Sequence, residues 1–164
     1  FKSRNFKIVG ESGHVYGYGK SVWAMIDLDT RHPADILAVR GGLITEYIET
    51  EYPCPIEKSS RVKLSVGTTP MRSIDTYYND VDINGHINSV KYIEHVLDLW
   101  DVAWYKQHCI KRFEIAYVAE SHQGDRLHFY REGRDSDTDF NVRITKSNRD
   151  SAEVEVCRCR VQFV

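Results

Sequence analysis

Residues 82 to 105 read Asp82-Ile83-Asn84-Gly85-His86-Ile87-Asn88 and then Ser89 to Tyr105, SVKYIEHVLDLWDVAWY in one-letter form, a short polar turn running into a long apolar stretch. In that stretch Val90, Ile93, Leu97, Trp100 and Trp104 step by three and four, and Tyr92, Val96, Leu99 and Ala103 form an adjacent apolar row, which predicts a helix to about Tyr105. Asn88 or Ser89 supplies the N-cap. The apolar surface covers more than half of the circumference, and the polar edge is limited to Lys91, Glu94, His95, Asp98 and Asp101. Such a helix needs a sheet wrapped around it, with one strip left in water.

The flanking sequence supplies the strands. Residues 71–78 suit one strand before the turn, and four more are expected at about 112–119, 126–132, 139–146 and 152–163. Turns fall at 123–125, 133–137 and 147–151. Phe140, Val142 and Ile144 alternate with Asn141, Arg143 and Thr145, the pattern of a half-buried strand. The last strand changes phase, with Val154 and Val156 on one parity and Cys157, Cys159, Val161 and Phe163 on the other, so a bulge or burial on both faces is expected. One strand, one buried helix and four antiparallel strands make an α+β unit over residues 61–164.

Upstream, Phe6 to Val9 and Val15 to Leu28 read as a hairpin around Gly10-Glu11-Ser12-Gly13. A two-stranded hairpin is marginal alone. Residues 1–30 are therefore expected either to pack as extra strands beside the helix or to belong to a domain that the chain enters partway through. From residue 33 to 60 the pattern dissolves around Pro33, Gly41-Gly42, Pro53 and Pro55, and a connector of this length marks a boundary between two units.

Composition narrows the function classes. A chain of 164 residues, 41% hydrophobic and 28% charged, fits a globular protein with a real core. A net charge of -2 argues against a nucleic-acid partner. No apolar run reaches bilayer length and no secretory signal opens the sequence, so neither a membrane span nor export is expected and the cytoplasm is the expected compartment. Cys54, Cys109, Cys157 and Cys159 are too few and too scattered for a disulfide framework. Cys157 and Cys159 have either a buried strand role or half of a metal site, and no second pair at ligand spacing favours the metal. No cofactor is expected.

The turn itself has two readings. Asp-Ile-Asn-Gly is ordinary turn chemistry, with Gly85 free to adopt positive φ. It also sets a carboxylate, an amide and an imidazole at alternate positions, so that in an extended backbone three polar heads converge on one point.

The order of elements with an Asp-x-Asn-x-His turn opening the central helix resembles the hotdog fold of the acyl-acyl-carrier-protein thioesterase family, most nearly its bacterial branch. Ser21 to Met25 with Asp29-Thr30-Arg31 resembles the closing strand of that family's N-terminal hotdog unit, so residues 1–32 are expected to be the end of an incomplete first unit. Asp82 to Asn88 with Tyr92-Ile93 resembles its catalytic turn, and Glu114 to Ser121 the strand supplying a further carboxylate, Glu120. Many relatives place Cys immediately after that carboxylate. Ser121 stands there in this chain, and a Cys-His nucleophilic mechanism has no thiol at that position.

The resemblance implies Asp82, Asn84, His86 and Glu120 as catalytic residues in thioester hydrolysis. If buried together, Asp82 and Glu120 would repel, which raises one pKa and makes the pair a base and an acid. Water activation by Glu120, with Asp82 holding water and amide in register, is favoured over attack by Asp82 itself. Asn84 orients the water or bonds the carbonyl, His86 positions substrate or moves a proton, and the helix N-terminus offers a partial oxyanion hole. His95, His108, His122 and His128 are expected at the surface or at strand edges. The implied partner is acyl carrier protein bearing an acyl-phosphopantetheine arm, which Lys111 and Arg112 could meet, and exposed apolar hairpin surface favours a homodimer. An acyl-coenzyme A thioesterase, a non-catalytic acyl-binding module and an inactive fragment of a longer enzyme are the alternatives.

Overall fold

The computed structural model describes residues 1–30, 32–65, 69–148 and 152–164. Arg31 of the Asp29-Thr30-Arg31 segment and residues 149–151 of the last expected turn lie outside the described residues. The chain divides into two units, Phe1–Lys58 and Ser59–Val164.

In the first unit, β1 (Lys2–Val9) and β2 (Val15–Trp23) pair antiparallel. Gly13 takes the left-handed conformation in their turn, at φ 82°. The hairpin forms a two-stranded sheet of its own. β2 ends at Trp23, five residues before Leu28, and an isolated bridge pairs Ile26 with Pro33. Two 3-10 turns occupy Ile36–Tyr47, separated by a kink in which Arg40, Gly41 and Gly42 all have positive φ. Phe6, Tyr18, Leu37, Ile44 and Ile48 line a cavity of about 770 Å³ within this unit.

The second unit is a five-stranded antiparallel sheet in the order β3 (Arg72–Asp75), β5 (Arg126–Gly133), β6 (Asp139–Ser147), β7 (Val154–Phe163), β4 (Ile110–Tyr117). The phase change in β7 is a bulge: Ile144 pairs with Cys157 and Thr145 with Glu155, leaving Val156 as the extra residue. The inserted residue lets Val156 and Cys157, adjacent in sequence, both be fully buried.

The helix is shorter than its apolar run. α1 spans Ser89–Leu97, and a separate turn of helix, α2, spans Val102–Tyr105. Asp101 breaks the run because its extended backbone lets its carboxylate accept the Trp104 N–H at 2.8 Å, which makes it the N-cap of α2. Asn88 caps α1 in the same way, accepting from Val90 N–H at 3.0 Å. At the end of α1, Arg131 donates to the Leu99 carbonyl at 2.7 Å with its guanidinium 4.9 Å from the Trp100 ring centroid.

The core joins Tyr92, Val96, Leu99 and Trp100 to Phe129, Val142, Ile144, Cys157, Cys159 and Val161. Val90 is 52% exposed and Val102 73%, so the strip left open on the helix is wider than its polar edge. Both strand cysteines are buried, and desolvation raises their thiol pKa values, which makes them inert packing groups.

The other face of the sheet is not open either. Glu114, Arg160, Asn141 and Glu132 stand opposite one another in one row across β4, β7, β6 and β5, alternating with core positions. Residues 60–65 cross this row as a strap. Ser60 N–H donates to Glu114 at 2.7 Å, Asn141 donates to the Lys63 carbonyl at 2.9 Å, and Ser65 N–H donates to Glu132 at 2.9 Å. Asn141, outward by alternation, is consequently 7% exposed, while Thr145, bonded instead to Glu153 at 2.7 Å, is 4% exposed, and β6 is buried on both faces.

Candidate active site

Asp82-Ile83-Asn84-Gly85-His86 is a tight loop closed by the Val81–Ile87 bridge, not the extended run that would converge three polar heads. Asp82 N–H donates to the His86 carbonyl at 2.8 Å and Gly85 N–H to the Asp82 carbonyl at 3.1 Å. Gly85 sits at φ 83°, where a side chain would be strained. Asp82 Oδ1 turns back into the loop and accepts from the N–H groups of Asn84 at 2.8 Å and His86 at 3.2 Å. Partial desolvation of this carboxylate opposes its charge, but those two hydrogen bonds, with smaller help from the His86 and Asn84 side chains, hold its pKa below the ordinary value. Asp82 is therefore an ionised clamp and a poor base.

Glu120 reaches the same loop from the other side. β4 ends at Tyr117, and the N–H groups of Val118 and Ala119 both turn to the Val156 carbonyl, so the chain leaves the sheet before the carboxylate expected on the strand. Glu120 Oε2 then lies 3.4 Å from His86 Nε2. Its side chain is 49% exposed, which overturns the expectation of two carboxylates buried together in an apolar pocket. The segment is held by a hydrogen bond from Ile87 N–H to the Ser121 carbonyl at 2.8 Å.

Of the four candidates, His86 and Glu120 are in contact, Asp82 supports them through the loop backbone, and Asn84 stands exposed at the loop tip beside the clamp. Most of the N–H groups expected to form a backbone oxyanion hole are already bonded within the chain. The N–H groups of Ile87, Asn88, Val90 and Lys91 are bound to Ser121, Asp80 and Asn88 within the chain. The side chains of Asn84 and His86 stand beside them as further candidate donors for a carbonyl oxygen.

Ser121 points the opposite way from Glu120 and is fully buried. Its hydroxyl lies near the Tyr92 phenol, which burial pushes up to about 12 and Ser121 eases slightly, yet neither hydroxyl completes a hydrogen bond.

The other histidines separate. His95 is partly buried against Phe129, and desolvation lowers its pKa, while His128 is bonded to Ser73 and Ser147 and His108 stacks on Trp104 at 3.8 Å. Only His122 enters the site, its ring meeting that of His86 edge to face at 5.1 Å. It stands two residues after Glu120, and that same-face spacing was the available signal; helical spacing is the wrong test for it. Arg112 is engaged by Glu114.

The sheet order and the helix packed on it are those of a hotdog fold. A hexameric hotdog fold thioesterase of Campylobacter jejuni superposes with a TM-score of 0.51 at 16% identity, over 58% of this chain and 81% of that one. The family model for the acyl-ACP thioesterase C-terminal domain matches residues 65–163, and the chain belongs to the acyl-ACP thioesterase family. It is 45% identical to an acyl-ACP thioesterase from Bacteroides thetaiotaomicron VPI-5482, with a TM-score of 0.86 over 99% of this chain and 62% of that one. Against the chloroplastic palmitoyl-acyl carrier protein thioesterase of Gossypium hirsutum it is 26% identical over 141 residues, 84% of this chain and 34% of that protein. The chain thus spans about a third of that relative's length and under two thirds of the Bacteroides structure.

Proposed function

We propose that this chain carries the catalytic part of a hydrolase that releases free fatty acid from acyl-acyl-carrier protein. The observation that carries the reading is the His86–Glu120 contact at 3.4 Å beside a loop clamped by Asp82. Glu120, partly open to water, takes a proton from a water molecule as its oxygen attacks the thioester carbonyl. The Asn84 amide and the His86 imidazole stabilise the oxyanion, and collapse of the tetrahedral intermediate breaks the C–S bond. The proton held by Glu120 passes to the departing pantetheine sulfur, which leaves as a free thiol beside the carboxylic acid. Asp82 is a weaker candidate for base or nucleophile, because its oxygen is already an acceptor of two N–H groups and its pKa is lowered.

Residues 1–32 are, on this reading, the end of a first hotdog unit, residues 33–60 the connector and residues 61–164 the catalytic unit. Among the described residues no helix is long and apolar enough to cross a membrane. Turnover measured on one acyl chain carried by acyl carrier protein and by coenzyme A tests the substrate. The carrier-protein thioester is expected to give the higher kcat/KM; equal or better use of the coenzyme A thioester would contradict the assignment.

A further inference from the structure

We infer that His122 is a positioning residue that holds the His86 imidazole in its orientation toward Glu120. The inference rests on the hydrolase reading for its kinetic consequence, but its geometry stands separately. His86 projects from a loop whose backbone is fixed, yet its ring can still turn about the bond to Cβ, and the contact with Glu120 restrains only the Nε2 side. The His122 ring supplies a second restraint, crossing the His86 ring at 79° with centroids 5.1 Å apart.

His122 can act in this way because its own backbone is anchored at both ends. Its N–H donates to Asp125 Oδ2 at 3.0 Å, and its carbonyl accepts from Thr76 Oγ1 at 2.9 Å and from Asp125 N–H at 3.2 Å. Thr76 is 4% exposed and also donates to the Asp125 carbonyl at 2.8 Å, while Lys146 of β6 holds the Asp125 carboxylate at 3.2 Å. The turn is thus tied to the chain just after β3 and to β6. An exposed imidazole on so fixed a turn, set against the ring that contacts the site carboxylate, orients that ring without needing to touch substrate.

The test compares His122→Ala and His122→Phe in the intact protein, reading kcat and KM on acyl-acyl-carrier protein and the His86 ring resonances by NMR, assigned with His86→Gln. His122→Ala is expected to lower kcat roughly three- to tenfold, the size of a lost ring contact, with KM little changed and the His86 ring signals displaced. His122→Phe, which keeps the edge-to-face contact, is expected to restore both toward the parent. Parental kcat and parental His86 signals in His122→Ala, or no improvement from Ala to Phe, would overturn the inference. A parent inactive on acyl-acyl-carrier protein defeats the hydrolase reading instead, and the His86 signals of the two variants then still decide the ring contact.

Discussion

Ser121 occupies the position at which the family resemblance leads one to expect a thiol, and its surroundings decide what it can do. Its hydroxyl has no exposed surface and no completed hydrogen bond, and the adjacent Glu120 faces the other way. Ser121→Ala is therefore expected to retain most of the activity. It removes a buried hydroxyl that completes no hydrogen bond, a group whose desolvation costs about 1–3 kcal/mol, so its Tm is expected to match or exceed the parent's. Thermal melts with steady-state hydrolysis check this, and trapping of an acyl-serine would reverse the assignment. The residue types of the candidate site were legible in Asp82-Ile83-Asn84-Gly85-His86, but their geometry was not. Whether a carboxylate faces a substrate or its own loop depends on a backbone turn, and the Asp82 carboxylate bonds Asn84 and His86 N–H groups in a way that the spacing alone allows but does not require. His122 was missed for a related reason, since its neighbour is 36 residues away in sequence.

Among the elements, strands and bulge were legible because alternation reports burial directly, and β4 to β7 begin and end within a few residues of the expected positions. The helix break at Asp101 was not, because periodicity runs through it and only the capping geometry stops it. The strap over residues 60–65 was hidden as well: its short alternation of Arg61 and Lys63 with Val62 and Leu64 does not say what it covers, and its partners lie across four strands. Asp139 marks where that face is electrostatically tied. Hydrogen bonds from Arg160, at 2.9 and 2.6 Å, hold its carboxylate below the ordinary value of 3.8 despite burial. A carboxylate with a depressed native pKa contributes stability that is complete above its unfolded value and is lost as pH falls through the native one. Urea midpoints are therefore expected to decline as pH drops below about 4, and Asp139→Asn is expected to be less stable at pH 7 with a flatter acid limb. An unchanged acid limb in Asp139→Asn would place the titration elsewhere.

At the scale of the molecule, the α+β class followed from one helix too apolar to stand without a sheet, and the core around Tyr92, Val96 and Trp100 meets that requirement. What the pattern did not reveal is which sheet the hairpin strands join, since pairing partners leave no trace in a single strand's alternation; they form a two-stranded sheet of their own. Val22 and Trp23 at the end of the hairpin and Ile26 just beyond it are 62%, 56% and 46% exposed, an apolar surface from which self-association is expected. Sedimentation velocity of this chain is expected to show a mass rising above the monomer with concentration, and Val22→Ser with Trp23→Ser to reduce it; a monomer at high concentration would contradict this. On the proposed reading, hydrolysis turns on Glu120 as the base. The most direct measurement is steady-state release of fatty acid from acyl-acyl-carrier protein by the parent and by Glu120→Gln, with both shown to be folded. The parent is predicted to release free acid and Glu120→Gln to lose at least about a hundredfold in kcat, the usual weight of general-base catalysis. A folded Glu120→Gln variant that keeps the parental kcat would contradict the account.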